Sequence, residues 1–216
     1  MTEIVIVRHG QANSAATDEE GYDRLSDLGR RQAAWLGDHL AATDPQFDHV
    51  ITGTLHRQAD TARAMGYEPQ VRDPRLNEMT YFDLARAMEM QHGVPAPTTA
   101  AEFARHLPEV MTMWAEGRLD AVPESFDAFH MRVTELLGEL SARRGRVLVV
   151  TSGGVIGMAL RHVLSLDTGG MAQIMLQVMN SSVHRMSYVH ERLMLAGFNA
   201  TPHLDAPDRA HARTFI

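Results

Sequence analysis

Ile4-Val5-Ile6-Val7-Arg8-His9-Gly10 is the stretch on which the fold turns. Four apolar residues in a row, all of them β-branched, do not alternate between two environments. Such a run reads as a strand buried on both faces, the pattern of a parallel sheet. It stops abruptly at Arg-His-Gly, as a strand does when it hands the chain to a loop. Polar residues follow as far as Arg24. From Ser26 the pattern becomes helical. Ser26 is a capping residue, and Leu28, Ala33, Leu36 and Leu40 recur at roughly helical spacing up to a stop at Asp44-Pro45.

The same grammar repeats along the chain. His49-Val50-Ile51-Thr52 reads as a strand, broken at Gly53, and a helix follows from about Leu55 to Met65, ending at Gly66. Residues Val71 to Leu76 suggest another short strand. Between Glu78 and Pro123 the text is helical and rich in methionine, interrupted by Gly93-Val94-Pro95-Ala96-Pro97, and reads as an inserted helical lid over about residues 79–123. A long helix from about Ser125 to Ala142 leads to the strand Arg146 to Thr151, after which Ser152-Gly153-Gly154 opens a further helix. Strands are expected around Ile174 to Val178, Ser182 to Val189 and Leu193 to Phe198, with a loose polar C-terminus. Alternating β and α units predict an α/β fold. The expected architecture is a single domain over residues 1–216, a three-layer α/β/α sandwich with a mainly parallel central sheet, its ligands at the carboxyl ends of the strands.

Bulk properties narrow the function classes. The 216 residues are 44% hydrophobic, ample for a core, and the formal charge of -7 supplies no general cationic field. Sequence-independent binding to nucleic acid or to an anionic membrane is therefore not expected. Any anionic ligand has to be held by a local basic cluster. The absence of cysteine excludes disulfides, thiolate metal sites and cysteine nucleophiles. Met1-Thr2-Glu3 leads into the first apolar run without a basic region or cleavage site, so a cytoplasmic location is expected. The 12 histidines show no metal-ligating spacing, and no metal or cofactor is called for. Oligomeric state is left open, a homodimer being one of the allowed states.

Three strand ends carry polar or basic residues: Arg8-His9-Gly10, Thr52 with Arg57 beyond it, and Thr151-Ser152-Gly153-Gly154. These ends converge in a doubly wound sheet. A neutral imidazole is a competent nucleophile toward phosphorus. Guanidinium forks match phosphate oxygens, and glycine-rich turns at helix starts point backbone N–H groups at anions.

Val7-Arg8-His9-Gly10-Gln11 resembles the signature of the histidine phosphatase (phosphoglycerate mutase-like) superfamily, and further segments agree in order. Leu25-Ser26-Asp27-Leu28-Gly29-Arg30-Arg31-Gln32-Ala33 is similar to its L-S-x-x-G-x-x-Q-A helix start. Thr52 to Ala62 is similar to its S-x-x-x-R-x-x-x-T-A segment, Leu76-Asn77-Glu78 to its L-x-E, and Asn180 to Val183 and Asn199 to Leu204 also read like the family. The resemblance implies that His9 accepts the phosphoryl group and that Arg8 and Arg57 clamp its oxygens. It also makes Glu78 the proton donor to the leaving group. Chemistry agrees, since an alkoxide leaves badly without an acid at the bridging oxygen.

One position departs from the pattern. Most of the family reads His-Gly after the last core strand, where this chain reads Thr151-Ser152-Gly153-Gly154. A bacterial branch resembling this chain in Tyr22-Asp23-Arg24-Leu25-Ser26 and Phe198 to Leu204 also has T-S-G-G. Ser152, with Gly153, is then left to contact the phosphate with one neutral hydroxyl donor and the turn's backbone. By analogy with losing one preorganised donor, the deficit is about 3 kcal/mol, on the order of 10²-fold to 10³-fold in rate. His56, His184 and His203 are the histidines expected near the pocket, the last two as candidates to compensate.

The leading reading is a phosphomonoesterase that forms phosphohistidine and acts on a small phosphorylated metabolite. A phosphoryl-binding regulatory protein with weak or no turnover is the alternative that Ser152 favours. A sugar-phosphate mutase is disfavoured, because the R-H-Y-G-x-L-like stretch of mutases is replaced after Glu78 by Met79-Thr80-Tyr81-Phe82-Asp83.

Overall fold

The computed structural model describes residues 2–13, 15–16, 18–43 and 46–215. In chain order the elements are β1 (Thr2–Arg8), α1 (Glu19–Tyr22), α2 (Asp27–Thr43), β2 (His49–Thr52), α3 (His56–Ala64), β3 (Val71–Arg72), α4 (Tyr81–His92) and α5 (Ala100–Ala115). They continue with α6 (Phe126–Ala142), β4 (Gly145–Thr151), α7 (Gly153–Leu164), α8 (Thr168–Gln177), β5 (Val183–Val189) and β6 (Arg192–Ala200). Local chemistry sets the helix starts. Asp18, Thr99, Ser125 and Asp167 each accept a backbone N–H of the first turn, and Thr99 forms a reciprocal capping box with Glu102.

The six strands form one sheet in the order β3-β2-β4-β1-β5-β6. The first four are mutually parallel, and β5 and β6 close the edge antiparallel. The strands ending at Val7, Thr52 and Thr151 are thus neighbours, as their sequences predict. Because successive side chains of a strand point to opposite faces, each buried strand feeds two cores. Ile4, Ile6, Val147 and Val149 join the core formed with α4 to α8. Val5, Val7, Leu148 and Val150 join the one formed with α2 and α3. Helix α2, which follows β1, and α7, which follows β4, therefore lie on opposite faces. The crevice between the carboxyl ends of β1 and β4 is the switch point at which such sheets bind ligands.

Several expectations require correction. The expected strand from Ile174 to Val178 is the end of helix α8. Asp167 caps that helix through Gly170 N at 2.7 Å, and its Met171 and Ala172 are fully buried. The apolar run was only the C-terminal part of a helical repeat. The stretch before Arg24 contains the short helix α1 under the Asp18 cap. Strand β3 covers only Val71–Arg72, because Asp73 caps a 3₁₀ turn at Pro74–Leu76. The C-terminus is not loose. It makes 3₁₀ turns at Pro202–Leu204 and Pro207–Ala212 and returns to the sheet. Asp44 and Pro45 lie outside the described residues; Thr43 is the last residue of α2. The stretch from Glu78 to Pro123 holds α4 and α5.

Two helical glycines test this packing. A Cβ on Gly29 in α2 would collide with the backbone of Gln11, whereas one on Gly138 in α6 meets no atom within 4 Å. Gly138→Ala is expected to stabilise the protein by about 0.5–1 kcal/mol through helix propensity. Gly29→Ala is expected to destabilise it by about 1–3 kcal/mol through overpacking. Urea unfolding of both variants measures this; the same sign for both would contradict the close approach of α2 to the loop after β1.

Candidate active site

Beyond β1 the ladder continues by one bond, His9 N donating to Thr151 O at 2.8 Å, which brings His9 to the carboxyl end of β4. The loop that follows is pressed onto two helix starts. Gly10 N donates to Thr61 Oγ1 at 3.0 Å, and Thr61 Oγ1 donates to Arg57 O at 2.7 Å. Ser26 caps α2 through Gly29 N and donates to Gln11 Oε1 at 2.8 Å. A side chain on Gly10 would collide with Gly29 O, so the approach needs glycine at both positions. His9 is 1% exposed, and its Nδ1 lies 2.7 Å from Gly10 O. Burial, reinforced by Arg57 and then Arg8, holds its pKa well below the usual histidine range. The ring is neutral near pH 7. Since a carbonyl can only accept, Nδ1 carries the proton and Nε2 keeps its lone pair.

Both arginines are buried at this strand end. Arg57 is 1% exposed, with its guanidinium 4.9 Å from the centre of the Tyr22 ring and Nη1 3.2 Å from Asp23 Oδ1. Asp23 also accepts the backbone N–H groups of His56 and Arg57, at 2.9 and 3.1 Å, and so fixes the start of α3. Arg8 is anchored from the far end of the chain, its Nη1 donating to Val178 O and Phe215 O. Its guanidinium lies over the first residue of α7, for a Cβ on Gly153 would be 3.7 Å from both Arg8 Nε and Cζ. Three buried N–H positions, Arg8 Nε and Arg57 Nε and Nη2, have no hydrogen-bond partner. Buried donors are otherwise nearly always satisfied, and a guanidinium cannot neutralise itself by losing a proton.

Glu78 faces the same place from the loop before α4. Its Oε2 accepts Gly154 N at 2.9 Å and its Oε1 accepts Met79 N at 3.0 Å. A Cβ at 154 would meet Glu78 Oε1 and displace this carboxyl from its place over the start of α7. Arg8, Arg57, Glu78, Gly153 and Gly154 line one cavity of about 540 Å³ whose outer wall is built by α1, α4, the linker after α4, and α5. His9 and Ser152 lie beneath this lining. Ser152 is fully buried, and its hydroxyl accepts Gln58 Nε2 at 2.8 Å. The structure thus brings together Arg8, Arg57, Glu78 and Gly153 on the cavity wall, with His9 beside them. The hydroxyl of Ser152 is engaged by a neighbour rather than turned to the lining.

Sequence reasoning missed the braces. Asp23 and Tyr22 were legible only as part of a Tyr-Asp-Arg-Leu-Ser segment. Gln32, fully buried, donates to Ala212 O at 2.6 Å and Thr214 Oγ1 at 3.0 Å while accepting Gln11 N at 2.8 Å. It ties the loop after His9 to the C-terminal segment that holds Arg8. No local signal announces that link, because its partners are 180 residues apart. Among the described residues no three histidine or carboxylate side chains are grouped to hold a metal, and no helix is long and apolar enough to cross a membrane.

Residues 4–201 match the model of the histidine phosphatase superfamily (branch 1), and the chain belongs to it. Among solved structures it is similar to a mutant phosphoserine phosphatase of Entamoeba histolytica in complex with phosphoserine, at 19% identity and a TM-score of 0.70. That match covers 94% of this chain and all (100%) of the other. The alpha-ribazole phosphatase of Shigella flexneri matches at 21% identity and 0.68, covering 92% and 96%. A phosphoglycerate mutase of Bacillus anthracis matches at 18% and 0.67, covering 94% of each chain. At these identities the likeness is one of fold. No curated protein matches the sequence.

The remaining histidines do not reach the cavity. His56 is exposed at the start of α3. His184 Nε2 pairs with Ser182 Oγ at 3.0 Å while Nδ1 accepts Asn199 N, and His203 Nε2 pairs with Ser181 Oγ at 2.8 Å. Neither supplies an imidazole to the wall next to Ser152. Burial pushes both down to about 3, with help from Arg8 at His184 and from His39 and Arg209 at His203. An unfolded histidine titrates near 6.5, so below that pH the unfolded chain binds protons that the folded chain refuses. Stability is therefore expected to fall as pH drops from about 6.5 toward 3, each such histidine adding a slope of up to about 1.4 kcal/mol per pH unit. Urea denaturation at pH 7, 6 and 5 measures it, with a shallower slope in His184→Gln. A flat profile over that range would contradict neutral burial.

Proposed function

We propose that this chain is a phosphomonoesterase that works through a phosphohistidine at His9, on a small phosphorylated metabolite, without metal or cofactor. One observation carries the reading. Two buried guanidiniums on the wall of a cavity present three unpaired N–H positions, beside a buried neutral histidine whose Nε2 keeps its lone pair. A phosphate dianion supplies the acceptors those donors lack and the charge they require. The start of α7 adds the positive end of its dipole, under Gly153.

In the first step His9 Nε2 donates its lone pair to phosphorus as the bond from phosphorus to the alcohol oxygen breaks. Glu78 gives that oxygen a proton and the alcohol leaves. In the second step water attacks phosphohistidine, Glu78 takes a proton from it, and inorganic phosphate departs with His9 restored. Arg8 and Arg57 stay on the equatorial oxygens throughout, where negative charge accumulates. The Ser152 hydroxyl lies beneath the lining and accepts Gln58 Nε2, so it brings no imidazolium charge to the transferred group. Slow turnover follows from that. The same observation favours the second reading, a phosphoryl-binding regulatory protein. The mutase reading has less support, since Met79-Thr80-Tyr81-Phe82-Asp83 stands after Glu78 in place of the R-H-Y-G-x-L-like stretch of mutases.

Hydrolysis of phenyl phosphate by wild type, His9→Ala and Ser152→Ala separates these readings. Wild type is expected to turn over. His9→Ala is expected to lose at least about 10³-fold, and Ser152→Ala about tenfold or less, the worth of one neutral hydrogen bond. Activity surviving in His9→Ala would refute the nucleophile. No turnover in wild type with phosphate still bound would establish the binding-protein reading.

A further inference from the structure

We infer that the cavity beyond the phosphate clamp selects phosphomonoesters whose alcohol carries a positive charge on an apolar body, and that Glu19 is the residue that reads this charge. The inference rests on the phosphatase reading of the same site and adds the class of its substrate.

A cavity of about 540 Å³ is far larger than a phosphate group, so most of it surrounds the alcohol. Its outer wall is aromatic and aliphatic. Tyr22 and Phe82 meet edge to face at 6.2 Å, Tyr81 and Phe103 at 5.2 Å, and Leu107 and Met175 complete the surface. The charges on that wall are unevenly matched. Arg8 and Arg57 are committed to the phosphate. Among the described residues the remaining lining cation is Arg86, exposed at the rim with Nη1 3.3 Å from Asp83 Oδ1. Against it stand Glu19 and, exposed at the rim, Glu89, while Glu78 carries the proton for the leaving oxygen. Glu78 is held by two backbone N–H groups over the start of α7, whereas Glu19 sits in the first turn of α1 and faces the cavity.

Burial makes the charge on Glu19 unfavourable and raises its pKa. Glu78 and Asp83 push the same way, and Arg57 and the Phe82 backbone oppose them. Phosphate binding offsets the charge of Arg57 and places a second anion beside Glu19. An ammonium group on the alcohol answers both anions inside an apolar wall, where Coulomb interactions are stronger than in water and aromatic faces also attract cations. A second carboxylate or phosphate on the alcohol meets Glu19 and Glu89 with only the paired Arg86 for relief.

Three phenyl phosphates carrying a para 2-aminoethyl, ethyl or 2-carboxyethyl group vary the charge at the end of a common phenyl phosphate body. In wild type, kcat/KM is expected to fall in that order, with at least about tenfold between the first and last. Glu19→Gln, which keeps the shape and removes the charge, should bring the aminoethyl and ethyl esters to within about twofold. Glu19→Lys should reverse the order. Binding of the same esters to His9→Ala, followed by calorimetry, reads the preference without turnover. The predicted order there together with no hydrolysis by wild type would sink the phosphatase reading and leave this inference standing. Equal efficiencies in wild type, an unchanged ratio in Glu19→Gln, or no ester bound by His9→Ala would overturn the inference.

Discussion

Two guanidiniums held out of water with part of their hydrogen-bonding capacity unused are the constraint on which the rest of this molecule depends. Arg8 and Arg57 cannot shed their charge, and burying an unpaired cation is expensive. The fold meets that cost only in part. Asp23 and the Tyr22 ring steady Arg57, and two backbone carbonyls steady Arg8, yet Nε of both and Nη2 of Arg57 stay unpaired. An oxyanion completes what the protein leaves open.

The scaffold shows how widely that arrangement is supported. The carbonyls on Arg8 come from the end of α8 and from Phe215, so the clamp draws on both halves of the chain. Asn180 fastens the C-terminal segment by accepting Thr214 Oγ1 at 2.8 Å and donating its backbone N–H to Thr214 O at 2.8 Å. Gln32 fastens it to α2. Close contacts at Gly10 and Gly29 then leave the loop after His9 little room to move, and two backbone N–H groups hold the Glu78 carboxyl. Rigidity of this kind is what preorganised electrostatics requires, because donors already in place need no rearrangement as charge develops.

Much of this was legible in the sequence. Buried parallel strands announce themselves as unbroken apolar runs, so β1, β2 and β4, their adjacency and the residues at their ends could be read directly. Local chemistry carried the cap at Ser26. The failures have physical causes. Ile174 to Val178 is an apolar run too short to separate strand from helix, and the decisive residues, Asp167 and Met171, lie upstream of it. The order of the C-terminal segment comes from hydrogen bonds to Gln32, Asn180 and Arg8, all distant in sequence. Ser152 was legible as a substitution, but its engagement by Gln58 depends on how α3 packs beside β4. His184 and His203 looked available to compensate and are instead committed to Ser182 and Ser181.

Phosphate calorimetry on wild type and Arg57→Met tests the central claim most directly, since methionine fills much of the arginine's volume and removes its donors and charge. The account predicts binding by wild type and affinity at least about tenfold weaker in the variant, the scale of lost charge-assisted hydrogen bonds. Equal affinity in the two proteins would show that the unpaired guanidinium donors do not form an anion site, and the account would fall with them.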